Sequence, residues 1–165
     1  MRVHRKPGFA LFVLMSMFVH QTVIAVGSEI PISGDLEKSA ELARQQAVPI
    51  VVFVSRDACP YCRTLRDSVL GPMYTAGKFK GRALLVEISL DKPDPLTGFD
   101  GRFITPQDWG QTYKAQITPT LLFLDSDGRE IGKRRIGISN LEMYGFYLQK
   151  SLDEALAITR STVTR

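Results

Sequence analysis

Pro49-Ile50-Val51-Val52-Phe53-Val54-Ser55-Arg56-Asp57-Ala58-Cys59-Pro60-Tyr61-Cys62 is the stretch that decides how this chain folds. Its first half is an unbroken apolar run, ended by polar Arg56 and Asp57, and reads as a buried strand. Its second half holds the only two cysteines of the chain. The following segment, Arg63 to Leu70, has helical character, so the pair sits where a strand hands over to a helix. Pro60 suits the first helical position, where a missing N–H costs nothing. The unpaired N–H groups and dipole of that helix end favour a thiolate on Cys59. Cys62 stands one turn later, near enough to close a disulfide. This layout points to thiol–disulfide redox chemistry at Cys59 and Cys62.

Two blander readings compete. A structural staple across two intervening residues closes a tiny loop and removes little unfolded-state entropy. A zinc site needs about four ligands. Beyond this pair there is no Cys, and both histidines, His4 and His20, lie near the N-terminus. Residue 63 is Arg rather than the His that a covalent haem site requires. No metal and no cofactor is therefore expected.

Residues 1–25 read as a secretory signal peptide. Arg2, His4, Arg5 and Lys6 form a basic start, Phe9 to Val19 an apolar run, and Val23-Ile24-Ala25 a cleavage site. Cleavage after Gly27 is the second option. The rival reading is an uncleaved anchor, but the uninterrupted run is too short to span easily. Membrane contact is expected only through an uncleaved leader. The 21 Lys and Arg include Arg2, Arg5 and Lys6; without them 18 stand against 17 Asp and Glu. So nearly balanced a chain gives no reason to expect nucleic acid. The densest basic cluster, Lys133-Arg134-Arg135, reads as a solvated strand face. With the leader gone no histidine remains, which excludes His bases, Ser-His-Asp triads and His metal sites.

The rest supplies one α/β domain over residues 35–158, preceded by a lead-in at 26–34 and followed by a flexible tail at 159–165. Asp35 is the expected N-cap of a helix to about Gln46. Strands are expected at 49–55, 82–90 and 120–125. Gly71-Pro72 is expected to kink or break the helix after the cysteines. Residues 91–105 read as a loop and 106–115 as a helix opened by Thr105. Ser126-Asp127-Gly128 turns a hairpin whose second strand is 130–136. A closing helix follows from Leu141 to about Ile158. Helix-linked strands should run parallel and the last two antiparallel, giving a mixed central sheet flanked by helices.

This order resembles the thioredoxin superfamily. The resemblance rests on Cys59-Pro60-Tyr61-Cys62, on Ile117-Thr118-Pro119-Thr120, and on Phe123-Leu124-Asp125-Ser126-Asp127-Gly128 with Gly137. It implies a thioredoxin fold, a cis Pro119 beside the redox pair, and a substrate groove lined by Tyr61, Thr118 and Pro119. The second half is most similar to secreted bacterial thioredoxin-like proteins, including the periplasmic thioredoxin linked to sulfur oxidation. The implied function is a periplasmic or secreted thiol–disulfide oxidoreductase acting on protein thiols and disulfides with a redox partner protein. The alternatives are a non-catalytic binding module of the same fold, or a dedicated assembly factor for one client protein.

Several residues depart from the family pattern. Ala58 stands where thioredoxins carry Trp, and Pro60-Tyr61 is the glutaredoxin dipeptide, without that family's glutathione-binding pattern. Thioredoxins bury an Asp six residues before the first Cys, where this chain has Phe53. Glu87, on the next strand where the family commonly places Lys, becomes the candidate proton acceptor for Cys62. Its bland reading is a strand Glu facing solvent. Arg56 and Arg63 flank the pair and are candidates for favouring the Cys59 thiolate.

Overall fold

The computed structural model describes Met1 and residues 30–163; the leader and its expected cleavage positions lie outside the described residues. The first helix, α1 (Leu36–Gln46), starts as its sequence dictates. The Asp35 carboxylate accepts from the Lys38 N–H, and Leu36, Ala40 and Ala43 form the buried stripe. The chain turns at Ala47, which adopts a left-handed conformation and closes the helix.

β1 (Ile50–Ser55) follows and is buried along its whole length. It is the hub of a four-stranded sheet that also contains β2 (Leu84–Ser89), β5 (Thr120–Leu124) and β6 (Arg135–Ile136), in the order β2-β1-β5-β6. β1 and β2 run parallel, with Phe53 opposite Glu87; β5 is antiparallel to both β1 and β6. The sheet is thus mixed, as expected. Val51 and Phe53 of β1 face one core, with Cys59, Cys62, Leu65, Leu148 and Leu152. Ile50, Val52 and Val54 face the other, with Leu36, Ala40, Trp109 and Leu122. A strand covered on both faces explains why Pro49–Val54 shows no polar alternation. Each fully buried Leu or Phe contributes about 1.5–3 kcal/mol of transfer free energy.

The structure settles one open expectation and departs from others at three places. The helix after the cysteines, expected to reach about Tyr74 with a kink or break at Gly71-Pro72, does not break there. It runs as α2 (Pro60–Leu65), a π turn over Arg66–Leu70 and α3 (Gly71–Thr75). Gly71 N–H reaches back to the Arg66 carbonyl. The wider turn accommodates a proline that cannot donate an N–H. The 91–105 segment is not wholly irregular, because β3 (Leu96–Thr97) and β4 (Phe103–Ile104) pair within it ahead of α4 (Pro106–Thr112). The returning strand is shorter than expected; Glu130 makes only an isolated bridge to Leu124, and β6 begins at Arg135. Finally, α5 (Leu141–Val163) continues through much of the segment expected to be a tail.

The lead-in is also more than a lead-in. Glu87 N–H donates to the Pro31 carbonyl and Ser33 N–H to the Glu87 carbonyl, both at 2.9 Å. These bonds pin residues 31–33 along the outer edge of β2. The hairpin turn at 125–128 needs Gly128, whose φ is +78° and whose missing Cβ would fall 2.6 Å from the Phe99 ring.

Candidate functional site

Cys59 and Cys62 form a disulfide with a Cα–Cα separation of 5.2 Å. Cys59 is the N-cap of α2, and its sulfur accepts from the Cys62 N–H at 3.1 Å. Pro60 takes the first helical position. Cys59 is 9% exposed and Cys62 is fully buried, so Cys59 is the sulfur a second molecule can reach. Tyr61 is exposed beside it. Thr118 approaches the same sulfur from the opposite wall, with Oγ1 at 3.6 Å from Cys59 Sγ. The Thr118–Pro119 peptide is cis. The fold therefore brings Cys59, Cys62, Thr118 and Pro119 together, with Tyr61 at the rim.

Glu87 sits on β2, next to the strand that leads to the pair. Its neighbour across the sheet is Phe53, and Phe53 shares a core with both sulfurs. Glu87 is only 3% exposed, so it is not a solvent-facing strand residue. Its carboxylate accepts from the Ser55 hydroxyl and from Arg66, whose Nε donates at 3.0 Å and whose Nη2 makes a second bond. No hydrogen bond joins Glu87 to either sulfur among the described residues. The carboxylate is thus held in a fork, which compensates a buried charge. Pairing with Glu87 pushes the Arg66 guanidinium up, against the opposing effect of its burial. Arg66 also lies over the Phe53 ring, 5.4 Å from its centroid.

Sequence reasoning missed Arg66. One signal was present: it stands four residues after Cys62, one helical turn away on the same side. The two flanking arginines it favoured play other parts. Arg56 pairs with Asp91 at 2.8 Å. Arg63 is exposed and carries no ion pair among the described residues. Asp57 was also missed. It accepts from Ser89 Oγ at 3.0 Å and Lys92 Nζ at 3.1 Å, tying the approach to Cys59 to the end of β2. Those hydrogen bonds, Lys92 first and Ser89 second, hold its carboxyl below the usual range. Asp57, Arg63, Arg66, Glu87 and Lys92 line one open groove beside the pair.

A family model described as thioredoxin-like domain matches residues 36–150. The chain belongs to the thioredoxin-like family. Solved structures agree on the fold. A DsbH oxidoreductase matches this thioredoxin-like chain with a TM-score of 0.56 at 19% identity, over 81% of this chain and 92% of that one. A poplar thioredoxin h mutant gives 0.54 at 14% identity, over 78% and 88%. Fasciola hepatica thioredoxin gives 0.51 at 15% identity, over 76% and 99%. No curated protein sequence matches the chain. These comparisons support the thioredoxin family and leave the narrower sulfur-oxidation type without support. The thioredoxin-like domain with its Cys59–Cys62 disulfide supports thiol–disulfide oxidoreductase chemistry in general.

Proposed function

We propose that this protein exchanges its Cys59–Cys62 dithiol or disulfide with protein substrates outside the cytoplasm. One observation carries the reading: the more accessible sulfur of a redox pair caps a helix and faces the Thr118 hydroxyl. In the reducing direction, Cys59 thiolate attacks one sulfur of a substrate disulfide, forming a mixed disulfide and releasing the other substrate sulfur as thiolate. The Cys62 thiolate then attacks Cys59, re-forms the internal disulfide and frees the substrate dithiol. Two electrons pass to the substrate, and a redox partner protein restores the dithiol. Oxidation of substrate thiols is the reverse.

The geometry supports each role. The Cys62 N–H aimed at Cys59 Sγ stabilises a thiolate there. Pro119 and Thr118 wall the groove into which a substrate backbone fits, with Tyr61 on the other side. Glu87 is the proton acceptor for Cys62 in this reading, as the one buried carboxylate among the described residues on that face; Arg66 and Ser55 are its positioning residues. The extracytoplasmic or periplasmic placement rests on the sequence of the leader alone.

Insulin reduction by the dithiol, with wild type and Cys59→Ser side by side, tests the reading. Turnover by wild type and none by the variant is expected. An inert wild type would leave a binding module of this fold as the better account.

A further inference from the structure

Most arginines of this domain are neutralised within the fold. Arg56, Arg66, Arg82, Arg129 and Arg134 pair with Asp91, Glu87, Asp153, Asp125 and Glu130. Arg135 has no carboxylate partner among the described residues, and neither do Lys133 and Lys150. These three cations line one groove between β6 and α5, where Glu154 is the only carboxylate among the described lining residues. Arg134 also lines it but is committed to Glu130 and to the Tyr113 and Lys114 carbonyls.

Arg135 is held rather than loose. Its guanidinium lies 5.1 Å from the Tyr144 ring centroid and 5.7 Å from that of Tyr147. Stacking fixes the cation without neutralising it. Arg135 Nε and the Tyr144 hydroxyl are buried and make no hydrogen bond of good geometry among the described residues. Tyr144 itself is only 2% exposed.

The groove is tied to the redox site through the backbone. Gly137 lines it, and the Gly137 N–H donates to the Pro119 carbonyl at 2.8 Å. Ile138, the next residue, packs against the core that holds both cysteines. Along α5 the lining runs from Tyr144 to Glu154, which is about 15 Å of helix at 1.5 Å per residue. That length matches roughly four or five residues of extended chain rather than a single small anion.

We propose that this groove docks an acidic segment of the protein with which Cys59 exchanges disulfides. The proposal rests on the function proposed above and adds the class of partner: a chain whose reactive Cys lies near Asp- or Glu-rich sequence. A segment crossing Thr118 and Pro119 continues past Gly137 and lays its carboxylates against Arg135, Lys133 and Lys150.

The test uses the whole protein and two fluorescent ten-residue peptides without cysteine, one rich in Asp and Glu, the other its Asn and Gln counterpart. Fluorescence anisotropy at low salt should show the acidic peptide binding about tenfold tighter, an advantage that about 0.5 M salt screens away. The K133E/K150E double variant should lose that preference. K78E/K80E, which reverses two exposed lysines outside the groove, should keep it. Equal binding of the two peptides by wild type, or a preference that survives in K133E/K150E, overturns the proposal. So does displacement of the acidic peptide by low-millimolar inorganic phosphate at fixed ionic strength, which would mark a small-anion site. A second arm gives both peptides a flanking disulfide and follows its reduction; an acidic flank should lower KM with little change in kcat. Acidic-peptide binding without reduction of either disulfide would sink the oxidoreductase reading and leave the docking surface standing.

Discussion

The redox pair lies between two charged regions built on opposite plans. Behind it, Glu87 is buried and fully engaged by Arg66 and Ser55. Beside it, Arg135, Lys133 and Lys150 carry charge with no carboxylate partner among the described residues. The difference follows from solvent. A carboxylate taken out of water must find compensation inside the protein, or the fold loses several kcal/mol. A cation at the surface keeps its water until a partner displaces it. On the readings proposed above, the inner region serves stability and proton handling, and the outer region partner choice.

The largest expected effects leave this division untouched and establish its centre. Cys59→Ser should abolish disulfide exchange, whereas Cys62→Ser should accumulate mixed disulfides that non-reducing gels detect. Faster alkylation of Cys62 than of Cys59 in the reduced protein would reverse the assigned roles. Next comes the inner pair. Arg66→Met leaves Glu87 uncompensated and should cost about 3 kcal/mol in urea unfolding. Adding Glu87→Leu should recover much of that loss, so a double-mutant cycle reads the coupling directly. A loss below about 0.5 kcal/mol for Arg66→Met would place the pair with ordinary surface ion pairs.

A smaller, kinetic effect sharpens the contrast. Glu87→Gln should slow release of the mixed disulfide more than the first attack by Cys59, measured by stopped-flow mixing with a chromogenic disulfide. Equal slowing of both steps would remove Glu87 from proton transfer.

Acid titration gives a weaker signal still. The Asp57 carboxyl is held below its usual range by Lys92 and Ser89. A group depressed in the folded state adds stability above its unfolded value. That contribution disappears as pH falls from about 4 through the lower folded value. Asp57→Asn should therefore flatten the acid limb of a stability–pH curve without altering it near neutrality. At the far end, Lys133→Ala and Lys150→Ala should each change stability by less than about 0.5 kcal/mol. A larger loss would mean that the outer charges also hold the fold together.

What was legible in the sequence was legible for local reasons. The Asp35 cap, the helix opened by Pro60, and the apolar run of β1 are set by residues adjacent in the chain. The two cysteines announce the chemistry because nothing else in the chain competes with them. The burial of Glu87 was inferred from the gap at Phe53, and the register places those residues opposite each other. Its engagement with Arg66 was not inferred, because that contact joins a helix to a strand across the core. Continuation of the helix through Gly71-Pro72 depends on a π turn that propensity does not encode. The groove beside β6 was read as a plain basic face, since only the docked position of α5 puts two tyrosine rings beneath Arg135.

The strip at residues 31–33 has a bearing on how copies of this protein meet one another. β2 lies at the end of the sheet, and an uncovered six-residue edge strand is a template onto which a neighbouring chain adds. The strip occupies that edge through the backbone of Glu87. At the other end β6 is only two residues long and adjoins Lys133 and Arg134. One edge is capped and the other is short and charged, which protects the sheet against strand-by-strand aggregation. A variant shortened past Ser33 would keep its cysteines and uncover β2, and its first defect should be loss of solubility rather than of redox chemistry.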